Sequence, residues 1–395
     1  MRERVLLVGS SFSAAPLLDA LKSMGKEVAV CGNLPTDPCV TWADAYYSLD
    51  YSDPQALADL VKTESFSALC PSCNDYSYLA ATAVASMLGL PGFDCPETTS
   101  ILHNKARFRD FAMRHGIPVP RAWILIDAEN WATTAFPYPL LVKPTDSFSG
   151  RGICKVESSN ELAPAIEAGQ LASQQGKVLV EEFIDGTLHS HSAFLSGQII
   201  AEDFFVDEFC TVYPYQVNCS NSPSHLSIAI RNRVRDCITE IAQLLSLTDG
   251  LLHTQFMVRG HDIYIVECMR RCPGDLYYHL VSLSTQVAYI QNYLRPFLGE
   301  VIIPSPKHGN IPWARHTISL PTSAIVWSLG HKIPSSEVRL FPLRESGSLI
   351  GQAPYDKSAI IFARFDDQKE LFRITPDLHE LITLDLKAPH HAQHS

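Results

Sequence analysis

Short apolar runs alternate with amphipathic segments over the first hundred residues of the chain. Arg4–Val8, Val28–Cys31 and Ala68–Cys70 are almost continuously apolar, which is typical of strands buried on both faces. Ala14–Met24 and Tyr76–Leu88 have the pattern of helices, and each is followed by a glycine, which commonly ends a helix. Strands that alternate with helices in this way predict an open parallel sheet.

The first predicted strand leads into a loop without the glycine pattern of dinucleotide-binding proteins. The loop from Gly9 to Ala14 reads GSSFSA, with one glycine where G-x-G-x-x-G requires three. Side chains at Ser11 and Ala14 would keep a pyrophosphate away from the backbone. We therefore expect a Rossmann-like N-terminal domain that does not bind a nicotinamide cofactor.

A second region begins near Glu97 and mixes helices with β-hairpins. The pattern predicts a single helix over Thr98–Arg114, which ends before Gly116. The other predicted elements are, in chain order, strands Leu140–Lys143 and Val178–Val180, hairpin strands Ser190–Leu195 and Gln198–Phe205, helix Ile228–Leu245, hairpin strands Thr254–Arg259 and Ile263–Cys268, and helix Leu276–Phe297. Hairpins distinguish this region from the α/β beginning of the chain.

The pattern changes again near residue 300. Prolines cluster at positions 304, 306 and 312, and three short β-like runs follow at Ala314–Leu320, Ala324–Ser328 and Ala359–Phe365. These runs predict a small β-rich C-terminal region. We therefore expect three domains, at residues 1–97, 98–299 and 300–395.

Composition limits the classes of function. Among 395 residues, 31 are Lys or Arg and 42 are Asp or Glu, so the formal net charge is −11. An acidic surface disfavours a protein whose task is to bind nucleic acid, although it permits a local basic pocket. The N-terminal apolar run Val5–Gly9 is too short for a signal peptide or a membrane span. We expect a cytoplasmic protein that contacts neither nucleic acid nor membrane.

Cysteine and histidine clusters are weak candidates for metal or redox sites. Eleven cysteines are scattered without disulfide-scaffold spacing, so we expect reduced thiols. The one CxxC motif, Cys70 to Cys73, has no partner motif nearby; we interpret it as structural, with a redox pair or half a zinc site as the alternative. The tail Lys387–Ser395 contains three histidines at 390, 391 and 394; we expect it to fray, with metal binding as the alternative.

Five elements in a fixed order carry candidate chemistry. They are Lys105 in a predicted helix, Lys143 at a strand end, the Gly-rich segment 146–153, the segment 181–184, and the hairpin with His253, Gln255, Glu267, Arg270 and Arg271. A lysine at a strand end presents a flexible cation to a phosphate, and a Ser/Gly loop exposes N–H groups that can wrap a polyphosphate. An acidic hairpin residue can hold Mg²⁺, and an arginine can bind a carboxylate.

Each element alone has an ordinary alternative. Lys105 fits a solvated helix lysine, and the Gly-rich segment fits a surface turn. Glu267 fits a paired surface carboxylate, and Arg270 with Arg271 fits a basic turn. The ordered combination is what indicates a nucleotide site.

Residues from about 5 to 295 resemble the ATP-grasp superfamily. The resemblance rests on the two lysines, the Gly-rich segment, the sequence EEFIDG from Glu181, and the hairpin end ExxxRCPGD from Glu267. It implies an α/β fold with a pre-ATP-grasp (Rossmann-like) N-terminal domain and a two-part α+β ATP-grasp centre. The Gly-rich loop would lie in a subdomain at about 118–185, and a small β-rich region would end the chain.

The resemblance also implies roles for individual residues. Lys105 and Lys143 would hold the α- and β-phosphates of ATP, and the Gly-rich loop would cover them. The hinge backbone at Glu182 and Ile184 would bind adenine, with the Glu181 side chain near its exocyclic amine. The residues implied in ATP binding are Lys105, Lys143, Ser147, Ser149, Gly150, Gly152, Glu181, Glu182, Phe183 and Ile184.

Three positions depart from the family pattern. A carboxylate is usual where this chain has Gln255, and asparagine is usual where it has Met269. We expect Glu267 and Gln255 to hold Mg²⁺, with Mn²⁺ as the alternative, although an amide is a weaker ligand than a carboxylate and a thioether is a poor one. The usual ribose-binding acid is replaced by Leu188, so His189 is a candidate substitute, with a purely structural histidine as the alternative.

The implied activity is that of an ATP-dependent ligase. ATP would activate a carboxylate as an acylphosphate, an amine would attack it, and Arg271, assisted by Arg270, would bind the carboxylate or oxyanion. Carboxylation with bicarbonate and ATP binding without catalysis remain open as alternatives. The expected partners are ATP and small carboxylate and amine substrates, and a homodimer is an open alternative to a monomer. The segment Asp203–His225 either contacts substrate or forms a polar surface loop.

Overall fold

The computed structural model describes residues 2–125, 136–147, 150–306 and 309–388, and it begins with the predicted parallel sheet. The N-terminal elements are β1 (Arg4–Val8), α1 (Ala15–Ser23), β2 (Glu27–Gly32), β3 (Ala45–Ser48), α2 (Pro54–Thr63), β4 (Ala68–Pro71) and α3 (Asp75–Leu88). The strands pair in parallel in the order β3-β2-β1-β4. Gly89, with a φ of 69°, ends α3 in the left-handed conformation that glycine adopts without strain.

The single helix predicted over Thr98–Arg114 is wrong, because the chain forms two helices there. They are α4 (Pro96–His103) and α5 (Lys105–Arg114). Asn104 between them is extended, and its side chain accepts hydrogen bonds from the N–H groups of Ala106 and Arg107, as an N-cap does. Lys105 is therefore the first residue of a new helix.

A small antiparallel sheet carries the predicted loop subdomain. Its elements are β5 (Ala122–Leu125), β6 (Leu140–Pro144), β7 (Cys154–Val156), α6 (Ser159–Ala172) and β8 (Val178–Glu182). The strand order is β5-β8-β6-β7. Buried residues of β6, β8 and α6 form a separate small core, so this sheet packs as a unit of its own.

An eight-stranded antiparallel sheet forms the centre of the molecule. The central elements are β9 (Thr187–Ser196), β10 (Ile199–Phe209), β11 (Cys219–Ser222), α7 (Ile228–Leu244), β12 (Gly250–Arg259), β13 (Asp262–Met269), α8 (Tyr277–Thr285) and α9 (Tyr289–Leu294). The single helix predicted over Leu276–Phe297 is wrong, because Gln286 takes a left-handed φ of 61° and separates α8 from α9.

The C-terminal strands extend this central sheet. The elements are β14 (Trp313–Ile318), β15 (Ala324–His331), β16 (Glu337–Pro342), β17 (Ser348–Ile350), β18 (Ala359–Arg364), α10 (Gln368–Ile374) and β19 (Ile382–Lys387). The eight-stranded order is β13-β12-β9-β10-β11-β14-β18-β16, and β17, β15 and β19 form a three-stranded sheet. The region is β-rich as predicted, but three of its strands belong to the sheet begun by β9.

The two faces of the central sheet have different neighbours. One face packs against α7 in a core that includes Phe205, Val234 and Leu252. The other face shares a core with the N-terminal sheet and with α8 and α9. Where this second face is not covered, it forms the floor of a cavity. None of the described helices is long and apolar enough to cross a membrane.

A buried ion pair links α7 to the sheet. Arg235 of α7 donates to Asp203 on β10 (2.6 Å), and His191 Nε2 on β9 lies 3.1 Å from the same carboxylate. Burial alone would raise the pKa of Asp203, but the hydrogen bonds from His191 and Arg235 outweigh it and hold the pKa well below its usual range.

We expect the stabilisation by Asp203 to depend on pH. The unfolded carboxyl has a pKa of about 3.9, so the contribution is complete above about pH 4 and is lost as the pH falls towards the lower folded pKa. Asp203→Asn should lower the free energy of unfolding by about 3 kcal/mol at pH 7, and the difference should shrink below about pH 4. Urea unfolding between pH 3 and 7 measures this, with exposed Asp236→Asn on α7 as the control. A difference independent of pH would contradict the prediction.

Candidate functional site

A cavity of about 1100 Å³ lies between the N-terminal sheet, the small sheet and the central sheet. Loops 11–13 and 73–76 line one side, and the hinge after β8 lines the other. The face of the central sheet forms the floor, and β14 reaches it from the C-terminal region. The volume is at the upper end for small-molecule sites, with room for a nucleotide and a second substrate.

Both predicted lysines line this cavity. Lys105 Nζ donates to the carbonyl oxygen of Ser147 in the Gly-rich loop (2.6 Å). Lys143, at the end of β6, is buried and forms an ion pair with Glu181 on β8. Burial lowers the pKa of Lys143, although Glu181 opposes the shift.

Glu181 is held by two cations. Besides Lys143, Arg109 of α5 donates to its carboxylate (2.7 Å). Burial alone would raise the pKa of Glu181, but Lys143 and Arg109 outweigh it and lower the pKa. The carboxylate is therefore held by two cations, and its place near an adenine amine stays a prediction. The sequence analysis did not single out Arg109.

The hinge backbone has an N–H group that is open to the cavity. Glu182 N–H donates to Arg121 O (2.9 Å), and Phe183 N–H donates to Pro139 O (3.2 Å). Among the described residues, no group accepts a hydrogen bond from Ile184 N–H. This N–H lies in the wall of the cavity, where the edge of a base could accept its hydrogen bond.

The Gly-rich loop lies under the segment 213–215. Tyr213 Oη donates to Gly150 O (3.2 Å), and a side chain at Gly150 would come within 2.2 Å of Tyr215 O. Ser147 and Gly152 also lie in the described part of the loop, whereas Ser149 lies outside the described residues, as do the three histidines of the tail. Of the two readings of the segment 203–225, the structure favours contact with the site.

The predicted metal ligands face each other across β12 and β13. Gln255 lies opposite Glu267, and its Nε2 donates to Glu208 on β10 (3.0 Å). No hydrogen bond or ion pair engages the Glu267 carboxylate among the described residues. Burial raises the pKa of Glu208, although Arg315 opposes the shift. Sequence analysis missed Glu208 because the predicted strand stopped at Phe205, three residues before it.

The two adjacent arginines point in different directions. Arg271 lines the cavity and pairs with Asp75 (2.7 Å). Arg270 is buried away from the cavity, where it pairs with Asp94 (2.8 Å) and donates to Thr248 O (2.8 Å). The prediction that Arg270 assists at the site is therefore wrong, because consecutive residues at the end of a strand face opposite ways.

Arg315 on β14 is a cavity residue that the sequence analysis missed. It is buried, and it donates to Asp275 O (3.0 Å) and Ser220 Oγ (2.7 Å). Its Nε has no hydrogen-bond partner, and no carboxylate forms an ion pair with it among the described residues. A charged group buried without a counter-ion is costly. The sequence analysis missed Arg315 because it lies in the C-terminal region, and no local pattern shows that β14 joins the central sheet.

His189 has no free ring nitrogen. Its Nδ1 lies 2.9 Å from Asp207, and its Nε2 lies 2.7 Å from Thr187 Oγ1. His225 also bonds Asp207 (2.8 Å), so these three side chains form one cluster at the edge of the cavity. The structure therefore favours the structural alternative for His189 over ribose binding. In the CxxC motif, Cys70 is buried in β4 and Cys73 is a free thiol at the cavity wall.

Comparison with known proteins supports the nucleotide interpretation. Residues 136–277 match the model of a family described as an ATP-grasp domain. The chain is 26% identical over 244 residues to the carbamoyl phosphate synthase arginine-specific large chain of Lactiplantibacillus plantarum; the match covers 56% of this chain and 22% of that relative. The chain thus spans about a fifth of the length of that relative.

Two further proteins match most of the chain. A formate-dependent phosphoribosylglycinamide formyltransferase of Synechococcus sp. is 26% identical over 306 residues, covering 75% of this chain and 76% of the relative. The solved L-amino acid ligase of Bacillus licheniformis has a TM-score of 0.82 at 16% identity, covering 98% of this chain and 99% of that one. The predicted ATP-grasp fold is confirmed, and the match to the family model covers residues 136–277.

We expect Arg270 to serve stability alone. Arg270→Met leaves Asp94 buried without its cation, which should lower the free energy of unfolding by about 3–5 kcal/mol. ADP affinity per folded molecule should stay unchanged, because Arg270 does not reach the cavity. Urea unfolding and calorimetric titration with ADP measure the two quantities. Weakened ADP binding at unchanged stability would contradict this assignment.

Proposed function

We propose that this ATP-grasp protein is an ATP-dependent ligase that joins a small carboxylate to an amine. The observation that carries the proposal is the charge distribution of one cavity. Two lysines near a Gly-rich loop lie at one end, and Arg315 and Glu267, neither of which forms an ion pair within the described residues, lie on the same sheet face. Such a cavity suits ATP and a second, anionic substrate together.

Lys105 and Lys143 would bind the phosphates. Lys143 shares Glu181 with Arg109, so Glu181 keeps one cation when the lysine turns towards a phosphate. Lys105 already touches the loop, which places its charge beneath the loop backbone. Positioning and charge neutralisation are the main requirements of phosphoryl transfer, and this end of the cavity supplies both.

The side chains near Gln255 fit a magnesium ion. Mg²⁺ prefers oxygen ligands, and the unpaired carboxylate of Glu267 and the amide oxygen of Gln255 lie on opposed positions of two strands. Met269 is buried and offers only a thioether, so it would not serve. Bound Mg²⁺ supplies charge neutralisation for the phosphates and fixes their orientation.

Arg315 is the strongest candidate for binding the carboxylate substrate. Arg271 is already paired with Asp75, whereas Arg315 forms no ion pair among the described residues. A substrate carboxylate would supply that counter-ion and accept a hydrogen bond from Nε. Arg271 would then face the oxygen that becomes negative when the amine attacks.

The reaction follows from this placement. The carboxylate oxygen attacks the γ-phosphorus of ATP, which yields ADP and an acylphosphate. The amine then attacks the acyl carbon, phosphate leaves, and the amine loses a proton. Because water would hydrolyse the acylphosphate, the contact between the Gly-rich loop and Tyr213 and Tyr215 would protect it by covering the cavity.

The named substrates of the similar proteins indicate a class of substrate pairs. One relative is named for formate and phosphoribosylglycinamide, and one structural neighbour is named as an L-amino acid ligase. Small acids and amino-group acceptors are therefore the first compounds to screen. Gln255, in the place of a carboxylate, is the observation that favours the second candidate function, ATP binding without catalysis.

We expect substrate-dependent ADP formation in a screen of small acids paired with amines. Lys143→Ala should reduce the rate on the order of 100-fold or more, because one fixed charge on the phosphates is lost. Exposed Lys62→Ala serves as the control. Coupled ADP detection and mass spectrometry of the product measure the reaction. Unchanged turnover in Lys143→Ala would contradict the proposal.

Two other outcomes of the screen would favour the alternative functions. Product with bicarbonate as the acid would favour carboxylation, and ADP binding without stimulated hydrolysis would favour a binding protein.

We expect Arg315→Met to separate substrate binding from stability. The KM for the acid found in the screen should rise on the order of 100-fold, while the KM for ATP stays within about 3-fold. Stability should fall much less than in Arg270→Met, because no carboxylate loses an ion-pair partner. Steady-state kinetics and urea unfolding measure both effects. An equal rise in both KM values would show that Arg315 does not select the acid.

A further inference from the structure

We infer that Glu208 is the second carboxylate of the magnesium site and replaces the one that position 255 lacks. This inference rests on the proposed function, because it concerns the metal that accompanies ATP. Glu208 lies on β10, outside the hairpin of β12 and β13 that carries Gln255 and Glu267. The second carboxylate of the magnesium site would therefore lie on β10, a different strand of the same sheet, instead of at position 255.

The strand register places the three side chains on one face. Gln255 lies opposite Glu267 on one side and Ser190 on the other. Ser190 lies opposite Val206 on β10, and Glu208 is two residues further along that strand. Because directly opposed residues and residues two apart share a face of a sheet, Glu208 projects into the cavity beside Gln255.

The hydrogen bond between Gln255 and Glu208 fixes the orientation of both side chains. Gln255 Nε2 donates to Glu208 Oε2 (3.0 Å), so the amide is oriented by the acid. Glu208, Gln255 and Glu267 all line the cavity, so their side-chain oxygens belong to one wall of it. Three oxygens from three strands would meet a hard cation.

The charges around Glu208 also call for a cation. Glu208 is 5% exposed, and neither a lysine nor an arginine forms an ion pair with it among the described residues. The nearest strand neighbour that bears a positive charge is Arg315, two strands away and bonded to Ser220. The hydrogen bond from a neutral amide does not cancel a buried charge, and half-buried Glu267 adds a second carboxylate on the same face. A divalent cation would compensate both.

This arrangement removes the main argument for an inactive protein. A site with Glu267, Glu208 and an amide has the same formal charge as one with carboxylates at 267 and 255. Gln255 would then be a ligand that also orients its neighbour, instead of a sign that one metal has been lost.

The test is Mn²⁺ binding in the presence of saturating ADP, measured by electron paramagnetic resonance of free Mn²⁺. Glu208→Gln should raise the Kd for Mn²⁺ on the order of 100-fold, and the smallest increase that supports the inference is about 10-fold. Glu208→Gln combined with Gln255→Glu should recover to within about 5-fold of wild type, because the carboxylate returns to the hairpin. Glu202→Gln is the matched control, since Glu202 is a buried carboxylate on the same strand that bonds Asn292 instead of facing the cavity.

The outcomes separate the inference from the proposed function. ADP affinity in EDTA should be equal in all variants, which shows that the site is folded. Wild-type affinity for Mn²⁺ in Glu208→Gln, or no recovery in the double variant, would overturn the inference while leaving the ligase proposal in place. Failure of the wild-type protein to bind ADP and Mn²⁺ would overturn both.

Discussion

Glu181 is buried between two cations that join the separate parts of the molecule. Lys143 comes from the small sheet, and Arg109 comes from α5, where it also donates to the carbonyl oxygens of Ile265 and Val266 on β13. The group therefore ties both sheets to one helix at the wall of the cavity. Removing one member would leave a charge buried without its partner, so the three positions constrain one another. The relative placement of the Gly-rich loop, the hinge and the residues Gln255 and Glu267 depends on this contact.

The cavity contains two kinds of charged residue. Asp75, Glu181 and Asp275 are paired with cations, which fixes their position. Glu267 and Arg315 lack an ion-pair partner among the described residues. Unpaired buried charge opposes folding, and proteins keep such charge where a ligand later completes the pairing. The distinction separates residues whose ion-pair partners belong to the fold from residues that remain open to a ligand, and Arg271, paired with Asp75, is of the first kind.

The sequence pattern predicted the features that depend on residues close together in the chain. The parallel N-terminal sheet, both hairpins and the two lysines at the cavity followed from periodicity and motif spacing. The breaks at Asn104 and Gln286 were missed because apolar periodicity continues across them, although Asn104 is a common N-cap residue. Glu208 and Arg315 depend on pairing between strands far apart in the chain, which no local pattern specifies. The domain limits stay a prediction. The central sheet contains strands from both sides of the domain limit expected at residue 300.

The pairing of β11 with β14 has a consequence for how the chain matures. β11 ends at Ser222, and its partner begins at Trp313, some ninety residues later in synthesis. Until that partner leaves the ribosome, one edge of the central sheet stays unpaired and open to association with other chains. The cavity also stays without Arg315 over that interval. Assembly of the sheet and completion of the cavity are therefore one event, so a nascent chain would position Lys105 and Lys143 before it positions Arg315.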